Sequence, residues 1–263
     1  MNRIVVKIGS NVLTREDGTL DITRMSAVAD QVAALHKRGM EIILVSSGAV
    51  ASGRTEVAPR ENLDDVSSRQ LYSAVGQVKL MNRYSDLFSS HGIVCGQVLT
   101  TKDSLSRPEQ YENQRHCIDV MLGNRVIPIV NENDTISLTE LMFTDNDELS
   151  GTMARMMKAD MLLILSNING LYDGDPKERS SRLIPVVKLD GGDDALSGFI
   201  SPEKSSRGRG GMLTKCGVAL KLAGEGIPVV IANGRTPDIL VDVVDCKSDV
   251  LCTRFEPKSK FEH

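Results

Sequence analysis

The chain has 263 residues, with 31 Lys and Arg against 35 Asp and Glu, for a formal net charge of −4. Hydrophobic residues make up 41% and charged residues 25%, enough apolar material for a real core, which excludes disorder as the main state. Trp is absent and aromatics are only 3%, so the stacking platforms and basic groove of a single-stranded nucleic-acid binder are missing and nucleic acid is not an expected partner.

No apolar run approaches the roughly 18 residues of a membrane span; Met161-Leu162-Leu163-Ile164-Leu165 is among the longest. The start, Met1-Asn2-Arg3-Ile4-Val5-Val6-Lys7, reads as a strand and not as a signal peptide, because its apolar stretch is short and ends in a charge. Five cysteines (95, 117, 216, 246 and 252) form no Cys-x-x-Cys pair, and the expectation is a reduced, cytoplasmic chain. The four histidines are scattered without metal-ligand spacing, so no protein-held metal is expected, and neither a Cys-His nor a Ser-His-Asp nucleophile system has local support.

Ile4 to Ile8 is a short apolar strand, followed by Gly9-Ser10-Asn11 as a turn signal. Ile22, Met25, Val28, Ala29, Val32 and Leu35 recur with helical spacing, capped by Asp21 or Thr23 and stopped by Lys37-Arg38-Gly39. Ile42 to Val45 is a strand. A long helix is expected from about Ser68 to His91, closed by Gly92, then a strand from Ile93 to Leu99. Another helix covers Glu109 to Leu122 with Gly123 as its cap, and Val126 to Val130 is again a strand. A helix over Asp147 to Lys158 precedes the strand Leu162 to Leu165. A helix carrying Leu213, Val218, Leu220 and Ala223 precedes the strand Pro228 to Ile231. Continuous apolar strands alternating with helices mean a parallel sheet covered on both faces. There is no linker between separate domains, and the softest division falls near residue 160.

In an open parallel sheet, ligands bind outside the carboxyl ends of the strands. The residues there are Lys7, Gly9 and Ser10; Ser46-Ser47-Gly48-Ala49; Asn131-Glu132-Asn133-Asp134; Ser166-Asn167; and Ala232-Asn233-Gly234. Lys7, closing an apolar strand, either snorkels or faces an anion. The Gly-rich run Arg207 to Lys215 is either a basic surface loop or a phosphate cradle whose N–H groups and helix dipole meet an anion. It is not a Walker A motif, and no Gly-x-Gly-x-x-Gly follows a strand. Phe143 to Ser150 crowds acids at a helix start, which suits either a capped, solvated N-terminus or a substrate and lysine-orienting site.

Seven segments carry a resemblance: Val5 to Ser10, Val45 to Gly53, Gln70 to Gln77, Pro128 to Asp134, Asp145-Asn146-Asp147, Gly170-Leu171-Tyr172 with Asp175-Pro176, and Gly210 to Lys215. In order and in content the chain resembles the amino acid kinase family, and within it the branch that phosphorylates the 5-carboxylate of L-glutamate in the first step of proline biosynthesis. The resemblance implies a three-layer αβα sandwich around a mainly parallel central sheet; many members of the family continue into a small C-terminal PUA domain, and the expectation here is that this chain departs from them in having none. It implies one kinase domain over 1–263, with an amino-acid-binding lobe at 1–160 and a nucleotide-binding lobe at 161–263.

The resemblance also assigns roles. Lys7, Lys215 and Asp147 are implied as catalytic, the lysines contacting phosphate and Asp147 organising them. Ser47, Asp134 and Asn146 are implied as glutamate-binding. Lys7, Ser166, Asn167 and the segment Arg209, Gly210, Gly211, Met212, Leu213, Thr214 and Lys215 are implied as ATP-binding, with Mg²⁺ carried by the nucleotide. A homo-oligomer and feedback inhibition by proline are further implications, the inhibitor region being placed at Thr55 to Arg69. The family usually has Thr-Asp where this chain has Ser166-Asn167, and Gly where it has Thr144 and Arg209. Another acid kinase, a uridylate kinase or a non-catalytic sensor on the same fold are the competing assignments.

Overall fold

A computed structural model describes residues 1–137, 145–189 and 211–257. Strand β1 (Arg3–Ile8) lies at the centre of an eight-stranded sheet. It pairs in parallel with β2 (Glu41–Ser46) on one side and β5 (Met161–Ser166) on the other. Beyond β2 lie β4 (Val126–Glu132) and the edge strand β3 (Val94–Thr100). Beyond β5 lie β7 (Val229–Asn233), β8 (Cys252–Glu256) and β6 (Val186–Lys188). Every described pairing is parallel except β7 with β8.

Successive strand residues point to opposite faces, and here both faces are buried. Ile4, Val6 and Ile8 join one core with α2 (Ile22–Lys37), α4 (Asp65–Ser89) and α9 (Ile239–Val244). Val5 joins the other with α6 (Pro108–Gly123), α7 (Asn146–Met156) and α8 (Met212–Gly224). The three-layer αβα sandwich follows directly. The same parity sends Lys7 to the face covered by α7 and α8.

Several boundaries differ from the sequence reading. Gly9-Ser10-Asn11 is no simple turn: Gly9 donates to the Leu165 carbonyl at 3.1 Å and the chain enters the short helix α1 (Ser10–Leu13), burying Val12 and Leu13. Helix α4 starts three residues before Ser68 because the Asp64 carboxylate accepts from the Ser67 N–H at 2.7 Å. β4 continues through Asn131 and Glu132, which stay paired with Leu99 and Thr100. Helix α7 ends before Lys158, which takes a left-handed φ of 48°. Helices α3 (Ala49–Arg54) and α5 (Lys102–Ser106), with α9 and β6, are too short to show a period, and β8 mixes Thr, Arg and Glu with its apolar residues and so forms no continuous apolar run.

Helices α3 and α4 touch backbone to backbone. A Cβ on Gly76 would lie 1.8 Å from the Ala49 carbonyl oxygen, and one on Gly53 would lie 1.9 Å from that of Tyr72. These two glycines let α3, and so the loop before it, settle against the long helix. Among the described residues no helix is long and apolar enough to cross a membrane.

Candidate active site

Three elements deliver three charges to one point. Lys7 comes from the end of β1, Asp147 from the first turn of α7 and Lys215 from the first turn of α8. Asp147 is fully buried, and its carboxylate contacts Lys7 Nζ at 2.6 Å through Oδ1 and Lys215 Nζ at 2.9 Å through Oδ2. Lys7 and Lys215 are themselves only 5% and 8% exposed. Burial pulls the Lys7 ammonium below the ordinary lysine value; Asp147 opposes that shift and Lys215 adds to it. Two buried ammonium groups converge on one carboxylate at the cleft, with Asp145 a second acid acting on Lys7, and together they offer two cations to an anionic ligand.

Helix α7 is fixed by its own sequence. Asp145 is its N-cap, and Oδ1 accepts from the N–H groups of Asp147 at 2.9 Å and Glu148 at 3.1 Å. The other oxygen, Oδ2, is buried without a hydrogen-bond partner among the described residues. Burial first, and the charge of Asp147 second, push the Asp145 carboxyl above the usual aspartate value.

Asn146 faces the other way along the same turn. Its Nδ2 lies 2.9 Å from Ser47 Oγ, 3.2 Å from the Ser46 carbonyl and 3.2 Å from Asn131 Oδ1. Ser47 stands in the loop between β2 and α3, where Gly48 takes a left-handed φ of 108° that a side chain would resist. These groups open on a cleft of about 320 Å³, whose lining includes Lys7, Gly9, Ser47, Asp145, Asn146 and Asp147 on one side and Ser166, Asn167, Gly211, Met212 and Lys215 on the other. Gly211 is the N-cap of α8, so this helix points its positive end at the opening.

Asp134 lies elsewhere. It lines a neighbouring hollow of about 480 Å³ with Gln77, Glu132 and Asn133, and its carboxylate is bound by Arg69 at 2.7 and 2.8 Å. Burial raises the Asp134 carboxyl despite that guanidinium. Asn131 joins the two spaces, since its Nδ2 donates to Gln77 Oε1 at 3.1 Å while its Oδ1 accepts from Asn146.

A model described as the amino acid kinase family matches residues 2–233. The chain belongs to the amino acid kinase family. It is 60% identical over 258 residues to a glutamate 5-kinase of Bacteroides thetaiotaomicron, a match covering 98% of this chain and 71% of that protein. It is 40% identical to a glutamate 5-kinase of Symbiobacterium thermophilum, covering 92% of each. Its fold matches an isopentenyl phosphate kinase substrate complex with a TM-score of 0.68 at 15% identity, over 96% of this chain and 100% of that one.

Of the positions that the family resemblance singled out, Lys7, Ser47, Asn146, Asp147, Ser166, Asn167, Gly211, Met212 and Lys215 share the cleft. Leu213 and Thr214 belong to the same turn of α8 but do not line it. Asp134 lies in the neighbouring hollow, which Asn131 joins to the cleft by bonding Gln77 on one side and Asn146 on the other. Arg209 and Gly210 lie outside the described residues, as does Thr144. Sequence reading gave no individual role to Asp145, Asn131, Gln77 or Arg69. Asp145 carried a signal, standing two residues before Asp147 where a cap is expected. Gln77 closed the segment Gln70 to Gln77 and Arg69 the stretch Thr55 to Arg69, but only the packing of α4 against the sheet brings these side chains to the site.

Proposed function

We propose that this amino acid kinase transfers the γ-phosphoryl group of ATP to the 5-carboxylate of L-glutamate, giving ADP and L-glutamyl 5-phosphate, the entry reaction of proline biosynthesis. The observation that carries this reading is the first turn of α7. Asp147 there holds Lys7 and Lys215 for the phosphoryl group, and the adjacent Asn146 reaches Ser47 on the acceptor side. The relatives named glutamate 5-kinase point to the same acceptor.

The nucleophile is a carboxylate with a pKa of about 4.3, already ionised at neutral pH, so no general base is required. What the reaction needs is in-line placement and compensation of charge on the phosphoryl oxygens. Lys7, Lys215 and the N-terminus of α8 provide the compensation. Ser47 and Asn146 orient the acceptor, with Asp134 at its far end. The lobe holding the acceptor is then 1–160 and the lobe holding the nucleotide is 161–263.

Mg²⁺ would arrive on the nucleotide, as in the family that the chain resembles. The unpaired buried oxygen of Asp145 suits a cation in the cleft, directly or through water. When bound, the metal neutralises phosphate oxygens. Ser166 and Asn167, in place of the family's Thr-Asp, remain at the cleft wall as nucleotide contacts. The wider reading includes a cytoplasmic homo-oligomer inhibited by proline, with Thr55 to Arg69 as the inhibitor region. Arg69, gripping Asp134, ties that stretch to the acceptor side.

The test is purified protein with Mg-ATP, L-glutamate and hydroxylamine. Glutamyl hydroxamate is expected, with ADP release that depends on glutamate. Neither would appear if the protein were a sensor, and a panel of acetylglutamate, aspartate and uridylate separates the sister activities. Exchange of residues 55–69 should abolish proline sensitivity; unchanged sensitivity removes that assignment.

A further inference from the structure

The loop that carries Ser47 is held from below by a hydroxyl that the mechanism does not use. Tyr84, on the buried face of α4, is 1% exposed, and its ring stacks on Phe88 with centroids 6.1 Å apart. The ring belongs to the apolar core cluster, and at its tip the phenol oxygen lies 2.8 Å from Ser46 Oγ. Ser46 is fully buried at the end of β2. Its hydroxyl donates to the carbonyl of Ser47 at 3.0 Å. A serine hydroxyl has one proton. With that proton committed to Ser47, the Tyr84 O–H is the donor to Ser46 Oγ. The two bonds run head to tail and reinforce each other.

The end of this chain is a peptide plane. The Ser47 carbonyl and the Gly48 N–H belong to one peptide and point in opposite directions. Holding the carbonyl toward the core therefore sets the direction of the Gly48 N–H and the position of the Ser47 side chain. Asn146 grips the same dipeptide from the other side, reaching the Ser46 carbonyl and Ser47 Oγ. Gly48, with its left-handed φ of 108°, has little intrinsic preference to hold the plane by itself.

We propose that Tyr84 is a positioning residue for the acceptor amino acid, acting through the Ser46 hydroxyl to fix the Ser47–Gly48 peptide and so the Ser47 hydroxyl. The inference rests on the proposed reaction for the identity of the acceptor, not for the geometry. Tyr84 touches neither substrate and donates no proton to the reaction. It sits one helix layer behind the cleft.

The experiment compares Tyr84→Phe, Ser46→Ala and the double variant with the parent in the hydroxamate assay. Tyr84→Phe removes one hydrogen bond of ordinary net strength, so KM for glutamate should rise about three- to tenfold. KM for ATP should stay within about twofold, because among the described residues none on the nucleotide side of the cleft hydrogen-bonds to Tyr84, the Ser46 hydroxyl or the Ser47 carbonyl. Ser46→Ala should raise KM for glutamate at least as much. In the Ser46→Ala background, the Tyr84→Phe change should add nothing, since its route is already cut. A loss of thermal stability with KM for glutamate unchanged would make Tyr84 a core residue only. Multiplying effects in the double variant would equally overturn the proposal. If Tyr84→Phe fails to fold, the Ser46→Ala variant decides: KM for glutamate unchanged in it refutes the route through Ser46. The parent is assayed first. Absence of glutamate-dependent hydroxamate there refutes the substrate reading alone, and the same comparison then runs with the acceptor that the substrate panel identifies.

Discussion

Asp147 is the test of the charge arrangement. Asp147→Asn keeps the shape of the side chain and removes one charge from a fully buried position 2.6 Å from one ammonium and 2.9 Å from another. At an effective dielectric of about 20, each such attraction is worth about 4 kcal/mol at ~4 Å. Breaking a buried pair by deleting one partner typically costs about 3–5 kcal/mol, because the orphaned charge stays buried. The expected loss of stability at pH 7 is in that range, read from urea unfolding midpoints. Turnover should fall by about 10²–10³, as when a transition-state charge contact is lost.

The pH dependence separates this account from a general packing defect. Lys7 already titrates below its unfolded value of 10.5. Between the folded and unfolded values the unfolded chain binds more protons, so stability rises with pH across that window. Asp147 is the strongest influence holding the Lys7 value up. Without it the folded value drops further, the window opens at lower pH, and the variant recovers stability sooner. The gap between parent and variant should therefore narrow as pH climbs toward 10.5. A gap that is independent of pH, or turnover within about threefold of the parent, would refute the reasoning.

Other expectations follow from the same contacts. Lys7→Ala and Lys215→Ala should each lower turnover by about 10²–10³ while giving native circular dichroism, since Asp147 keeps one lysine in either case; near-normal turnover would remove that residue from the mechanism. Gly76→Ala puts a methyl 1.8 Å from the Ala49 carbonyl oxygen and should cost about 1–3 kcal/mol or more in urea unfolding, together with a raised KM for the acceptor as α3 is displaced. Arg69→Ala should cost about 1 kcal/mol at neutral pH. It should cost less at a pH close to the ordinary aspartate value than at neutral pH, because burial raises the Asp134 carboxyl, so the folded chain takes up that proton before the unfolded chain does as pH falls and the ion pair is lost. Equal cost at both pH values would show that Arg69 and Asp134 are not coupled.

Much of the architecture was legible in one dimension. β1, β2, β4 and β5 are apolar on both faces, and such runs separated by helical periods leave little choice but a parallel sheet sandwiched by helices. Lys7 announced itself as a charge at the end of a central strand. The Asp145-Asn146-Asp147 run announced a helix start, because acids and caps favour that position for reasons internal to the helix. The short elements were not legible. Four residues of α1, or three of β6, are too few to show a period, and they exist because neighbours hold them: Leu165 for the start of α1, β8 for β6.

What sequence determined by itself, then, was the order of layers and which residue types stand at the carboxyl edge of the sheet. It could not decide which of those residues meet. Lys7 snorkelling and Lys7 facing an anion are the same string of letters. The choice was made by strand parity together with the docking of α7 and α8 on one face, which places a single buried carboxylate between two lysines more than 200 residues apart. Asp134 shows the converse. It stands in the same motif run as Asn131, yet Arg69 and the α4 packing hold it in a separate hollow. Buried charges need partners that only the folded chain can bring within about 3 Å. For that reason the chemistry of this site is a property of the tertiary structure.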